Sequence, residues 1–104
     1  METLKRPLEG IRVVELATFI AAPSCGRYLA DLGAEVIKVE APKGDPYRST
    51  AINEGRPTGD LENLSFDLDN ANKKDICLNT KSAEGRQVLE QLIARADIFI
   101  TNVR

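Results

Sequence analysis

The chain has 104 residues, 42% of them apolar and 29% charged, which suits one domain with a modest core. A net charge of -2 argues against a nucleic-acid binder, which would carry a strongly basic face. No apolar run is long enough to span a bilayer, and residues 1–7 lack the apolar stretch of a secretory signal, so a cytoplasmic protein without a membrane partner is expected.

Residues 11–16, a β-branched run after Gly10, predict a first strand. Pro23 suits the first turn of a helix, where its missing N–H needs no partner. Cys25, Tyr28, Leu29 and Leu32 then recur at helical spacing, and Gly33 follows as a C-terminal cap, so a helix from about Pro23 to Leu32 is expected. Residues 34–40 supply a second strand, and the strand–helix–strand order makes the pair parallel. Residues 75–79 read as a third strand. Ser82 opens a second helix, with Glu84 in its first turn and Val88, Leu89, Leu92 and Ile93 as its buried face. Residues 97–101 form the fourth strand. The expected fold class is therefore α/β, Rossmann-like, with a mostly parallel sheet of βαβ units.

Residues 41–74 hold three of the five prolines and three of the seven glycines, with at most a short helix around residues 60–66. A connection that long inside a small domain points to a functional loop. Arg104 follows closely on a strand that a parallel sheet would cover on both faces. The chain is therefore expected to be the truncated amino-terminal portion of a larger domain.

The turn Ala21-Ala22-Pro23-Ser24-Cys25-Gly26 stands where a dinucleotide-binding fold would place Gly-x-Gly-x-x-Gly. Ala22 and Pro23 put bulk where a backbone must approach pyrophosphate, so Glu40, at the end of the second strand, reads as a solvated terminus rather than a ribose ligand. Lys38, Lys43, Arg48, Lys73, Lys74, Lys81 and Arg104 gather near strand ends or in the long loop. They form either a mixed-charge surface or a convergent polyphosphate site. Without a histidine, no Ser-His or Cys-His nucleophile can be assembled, and the two cysteines lack partners at metal-ligand spacing. Cys25 and Cys77 read as reduced, partly buried thiols, with Cys25 packed in the core. Ser24 reads as a group satisfying free N–H donors in the first helical turn, and Asp31 and Glu35 as solvated.

Two long stretches carry a resemblance: PLEGIRVVELATFIAAPSCGRYLADLGAEVIKVEAPKGDPYR and NANKKDICLNTKSAEGRQVLEQLIARADIFITNVR. From about Pro7 to Arg104 the chain resembles the amino-terminal part of class III CoA-transferases, the CaiB/BaiF family. TFIAAP and EGRP resemble the branch that passes CoA to 2-hydroxy acids in amino-acid fermentation. Acyl-CoA racemases share similar beginnings and form the alternative, with a non-catalytic nucleotide-binding module as a third reading.

The resemblance implies a CoA site built from Ile20 and Ala21 in the first βα turn and Ala41 after the second strand. To these it adds Leu78, Asn79, Thr80 and Lys81 after the third strand, and Asn102, Val103 and Arg104 after the fourth. CoA or acyl-CoA enters as substrate beside a small carboxylic acid, with no permanently bound cofactor and no metal. The resemblance also implies interlocked homodimers and a nucleophilic aspartate that attacks the thioester. That aspartate belongs to a motif matched by none of Asp31, Asp45, Asp60, Asp67, Asp69, Asp75 and Asp97. No catalytic residue is therefore assigned, and the chain alone is expected to be inactive.

Overall fold

The computed structural model describes residues 5–56, 58–59 and 62–103. Strand β1 (Arg12–Leu16) leads into helix α1 (Ala21–Asp31) and strand β2 (Glu35–Glu40). A 3-10 turn (Pro46–Ser49) and the short helix α2 (Thr50–Asn53) follow. A two-residue hairpin, β3 (Thr58–Gly59) and β4 (Glu62–Asn63), then runs into helix α3 (Leu64–Asn70). Strand β5 (Lys74–Cys77), helix α4 (Ala83–Ala94) and strand β6 (Ile98–Thr101) complete the order. The main sheet is ordered β5-β2-β1-β6 and is parallel throughout, as the βαβ pattern requires.

Gly33, with φ 108°, ends α1 in a left-handed residue. Its N–H bonds Ala30 O and that of Ala34 bonds Leu29 O, which together satisfy the last carbonyls of the helix. Ser82 caps α4 by accepting from the Gly85 N–H.

Alternation along the strands sends Val13 and Val36 toward α1, where they meet Ala30 and Ala34 and are flanked by Leu29 and Ile100. The face of α1 nearest the sheet is Pro23, Gly26 and Ala30. Of the expected stripe Leu29 packs on the core, but the other three are overturned: Tyr28 is 68% exposed, Leu32 faces outward and Cys25 is exposed. Small residues are buried because α1 sits close over polar side chains of β1, and only a side chain without bulk fits there. Cys77 is likewise an exposed free thiol, not a partly buried one.

On the opposite face α4 stands off Val14 and Ile37 across a gap of about 220 Å³ beside Leu92. Of its expected buried face, Leu89, Leu92 and Ile93 are half-buried while Val88 is exposed. The described residues of 41–74 are folded rather than loop-like. Their main helix begins at Leu64, later than expected, because Asn63 caps it through the Phe66 N–H.

Candidate functional site

Glycine 26 provides the first clue to what the β1–α1 turn holds. A Cβ there would overlap Glu15 Oε1 and lie 3.2 Å from Lys73 Cε. The turn therefore closes over a buried ion pair. Glu15 and Lys38 are both 0% exposed. Lys38 Nζ lies 3.0 Å from Glu15 Oε2 and 3.0 Å from Asp45 Oδ2, and donates to Ala17 O. Lys73 Nζ lies 2.6 Å from Glu15 Oε1 and donates to Pro23 O and Asn70 Oδ1. Glu15 Oε1 and Asp45 Oδ2 are held by proximity of charge rather than by aligned hydrogen bonds. Burial pulls Lys73 below the ordinary lysine value, with the Glu15 carboxylate opposing it.

A second network adjoins the first. Arg48 forks onto both oxygens of Glu40, at 2.8 and 2.7 Å, and reaches Asp75 Oδ2 at 3.0 Å. Its guanidinium stacks 3.8 Å from the centre of the Phe66 ring. Burial pushes Glu40 up, but its hydrogen bonds with Arg48 and Asp75 outweigh this and bring it down to about 2. Burial and the adjoining Glu40 carboxylate push Asp75 up to about 7. Glu40 is thus a buried, paired group and not a solvated strand terminus. Arg48 takes both Glu40 oxygens and the Asp45 N–H shares Oε1, so the carboxylate is engaged within the fold.

These pairings decide which cations can meet a ligand. Lys38, Arg48 and Lys73 are neutralised internally, and Lys74 pairs with Glu35 at the amino rim of the sheet. Among the described residues, Lys43 and Lys81 lie within ion-pair distance of no carboxylate. Of the seven cations, those two line one cleft of about 290 Å³, with Ala41, Pro42, Asn79 and Thr80. A neighbouring cleft of about 310 Å³ shares Ala41 and Thr80 and is mostly apolar, its walls including Leu16, Val39, Pro46 and Val103. Both open at the carboxyl ends of the strands, where parallel α/β sheets take ligands.

Five of the expected site residues therefore meet at this rim: Ala41, Asn79, Thr80, Lys81 and Val103. Ile20 and Ala21 stand at the start of α1, exposed and outside both clefts, and Leu78 is half-buried after β5. Asn102 exchanges two hydrogen bonds with the Thr18 backbone, at 3.1 and 2.8 Å. Arg104 lies outside the described residues. Asn79 spends its side-chain oxygen on the Lys81 N–H, leaving its amide NH₂ for a ligand. Ser24 departs from expectation by donating to Asp69. Asp31 and Glu35 are exposed or half-buried but engaged, Asp31 by Arg27 and Asn72 and Glu35 by Lys74. That Lys43 stays unpaired while Lys38 and Lys73 turn inward escapes a sequence reading, since identical side chains differ only in which face of a strand or loop they leave.

Among the described residues no His, Cys, Asp and Glu group is arranged to hold a metal ion, and no helix is long and apolar enough to cross a membrane.

Comparison with known proteins extends this geometry. The family model described as CoA-transferase family III matches residues 8–104. Cinnamoyl-CoA:phenyllactate CoA-transferase of Clostridium sporogenes is 55% identical over 100% of this chain and 25% of its own length. (R)-2-hydroxy-4-methylpentanoate CoA-transferase of Clostridioides difficile is 52% identical over 93% of this chain and 24% of its own. The crystal structure of a CAIB/BAIF family protein from Brucella suis superposes with a TM-score of 0.84 at 38% identity, covering 96% of this chain and 26% of that one. The chain thus spans about a quarter of the length of the curated relatives it matches.

Proposed function

We propose that this chain, which belongs to CoA-transferase family III, carries part of the coenzyme A site of an enzyme that moves CoA between an acyl-CoA and a small carboxylic acid. Similarity to relatives named for phenyllactate and 2-hydroxy-4-methylpentanoate supports a 2-hydroxy acid as the acid partner and amino-acid fermentation in the cytoplasm as the setting. Residues 1–104 would be the amino-terminal portion of the CoA-binding domain in an interlocked homodimer.

One observation carries the reading: unpaired Lys43 and Lys81 beside an apolar cleft at the carboxyl rim. CoA has matching chemistry, with phosphates for the lysines and an uncharged pantetheine arm for the apolar cleft. Thr80 and Ala41 stand at the junction, where the two halves of such a ligand would meet. The buried networks withhold Lys38, Arg48 and Lys73 from the site, so among the described residues Lys43 and Lys81 draw phosphate to one end. Coenzyme A supplies the thiol that carries the acyl group. The residues here bind and orient it, and the attacking carboxylate would come from an aspartate outside this set.

Calorimetric titration of the chain with CoA, NAD and ATP tests the reading. CoA alone should bind measurably, and Lys81→Ala should weaken it about fivefold, the worth of one partly screened charge contact. Equal binding of all three, or no binding of CoA, would overturn it.

A further inference from the structure

The run Gly44-Asp45-Pro46-Tyr47-Arg48 closes the first of the two stretches that carry the family resemblance, and the proposed CoA site leaves most of it unexplained. Its centre is Asp45, 3% exposed. Asp45 Oδ1 accepts from the Phe19 N–H at 3.1 Å and the Tyr47 N–H at 2.9 Å. Oδ2 lies against Lys38 Nζ, and the Asp45 N–H itself donates to Glu40 Oε1 at 2.7 Å. One residue thus joins three segments: the β1–α1 turn, β2 at Lys38 and Glu40, and the 3-10 turn.

Two of those segments are opposite walls of the apolar cleft. Ala17 and Thr18 line it from one side, and Ala41, Gly44, Asp45 and Pro46 from the other. Phe19 follows directly, in the left-handed region at φ 66°, a conformation strained for a residue other than glycine. Something must hold it there, and the Asp45 carboxylate accepts its N–H. The Phe19 ring also leans on Tyr47, with centroids 6.2 Å apart. The other members of the run support the same arrangement. Gly44 turns at φ 82°, Pro46 starts the 3-10 turn, and Arg48 anchors that turn to Glu40.

We infer that Asp45 is a positioning residue: by fixing the backbone of Phe19 and Tyr47 together it sets the spacing of the cleft walls and presents the β1–α1 turn to the ligand. The inference rests on the reading of this cleft as part of the CoA site, and it assigns Asp45 no contact with CoA. Without the clasp, Phe19 leaves its left-handed conformation and the wall formed by Ala17 and Thr18 shifts.

The variants Asp45→Asn and Asp45→Ala separate the two jobs of the side chain. Both remove the charge opposite Lys38, so both lower the unfolding midpoint. Only Asp45→Asn keeps an oxygen for the Phe19 and Tyr47 N–H groups. Asp45→Ala, which loses the bonds to the Phe19 and Tyr47 N–H groups, should weaken CoA binding about tenfold, and Asp45→Asn, which keeps an acceptor for them, should stay within about threefold of the parent chain. Amide hydrogen exchange at Phe19 should quicken in Asp45→Ala and stay slow in Asp45→Asn. If Asp45→Ala does not fold, Asp45→Asn decides alone: near-parental affinity at a lowered midpoint supports the inference, and a tenfold loss overturns it. Parental affinity in a folded Asp45→Ala overturns it as well. Failure of the parent chain to bind CoA would overturn the site reading together with this inference, whereas parental binding with an unaffected Asp45→Ala would overturn the inference alone.

Discussion

Gly26→Ala offers a direct measure of how tightly α1 is seated. A Cβ at this position would overlap Glu15 Oε1 and sit 3.3 Å from Glu15 Cδ, so the carboxylate must move. It has nowhere free to go: Lys38 holds one oxygen at 3.0 Å and Lys73 the other at 2.6 Å. Overpacking of this kind costs about 1–3 kcal/mol, and breaking a buried ion pair outright costs about 3–5 kcal/mol. Because the pair would be strained rather than removed, only part of the second figure applies. Alanine in a helix returns about 1 kcal/mol relative to glycine. The net expectation is a loss of about 3 kcal/mol, a large share of the roughly 5–15 kcal/mol available to a domain of this size. At about 4–8 °C per kcal/mol the melting temperature should fall by about 12–24 °C. Urea unfolding followed by circular dichroism, with the slope unchanged, would supply the number. A loss under about 1 kcal/mol would refute the reasoning, since it would mean that the Glu15 carboxylate can step aside and keep both lysines.

Gly85→Ala acts at the rim itself. An added Cβ would overlap the Asn79 carbonyl oxygen and lie 2.6 Å from its carbon, and backbone cannot rotate away as a side chain can. Stability should drop by about 1–2 kcal/mol after the helical gain of alanine, and CoA affinity measured by titration should fall with displacement of the Asn79–Lys81 turn; an unchanged affinity would show that the turn does not touch the ligand. The Glu40–Asp75 pair predicts a pH response. Asp75 holds its proton more tightly folded, at about 7, than unfolded, so its contribution is present at low pH and is lost as pH rises from about 4 through 7. Glu40, held at about 2, contributes above its unfolded value and loses that contribution as pH falls toward 2. Stability should therefore peak near pH 4–5, to the extent that these two groups set it, and Asp75→Asn should flatten the decline between about pH 5 and 7. Solvent at Asp75 keeps the effect below about 1 kcal/mol, readable as a shift in urea midpoint. An undiminished slope in the variant would place the titration elsewhere.

The sheet was legible in the sequence because parallel strands and their crossover helix leave two separate periodicities, and Gly33 and Ser82 mark helix ends by their own chemistry. What stayed hidden has a common physical cause. Alternation along β1 sends Glu15 to the same face as Val13, so a charged residue occupies a core position in a run that reads as ordinary strand. Its partners, Lys38 and Lys73, come from positions 23 and 58 residues further along the chain. Only the folded arrangement reveals that these charges cancel. The same blindness made Cys25 look like core: the helical stripe was real as spacing, but the sheet packs against the small residues Pro23, Gly26 and Ala30 instead. At the rim, Thr80 and Lys81 follow β5 as expected, whereas the freedom of Lys43 could be recognised only once its neighbours Lys38 and Arg48 had been found engaged.

The two hydrogen bonds between Asn102 and the Thr18 backbone have a bearing on the shape of any guest. They rivet adjoining strands at the gap where strand order reverses, which in many open sheets is the slot a nucleotide enters. The two clefts at the strand tips run crosswise from Val103 through Thr80 and Ala41 to Lys81, so under the proposed reading a ligand would lie across the tips rather than between β1 and β6. Such a bed rewards a slender, extended molecule over a compact one.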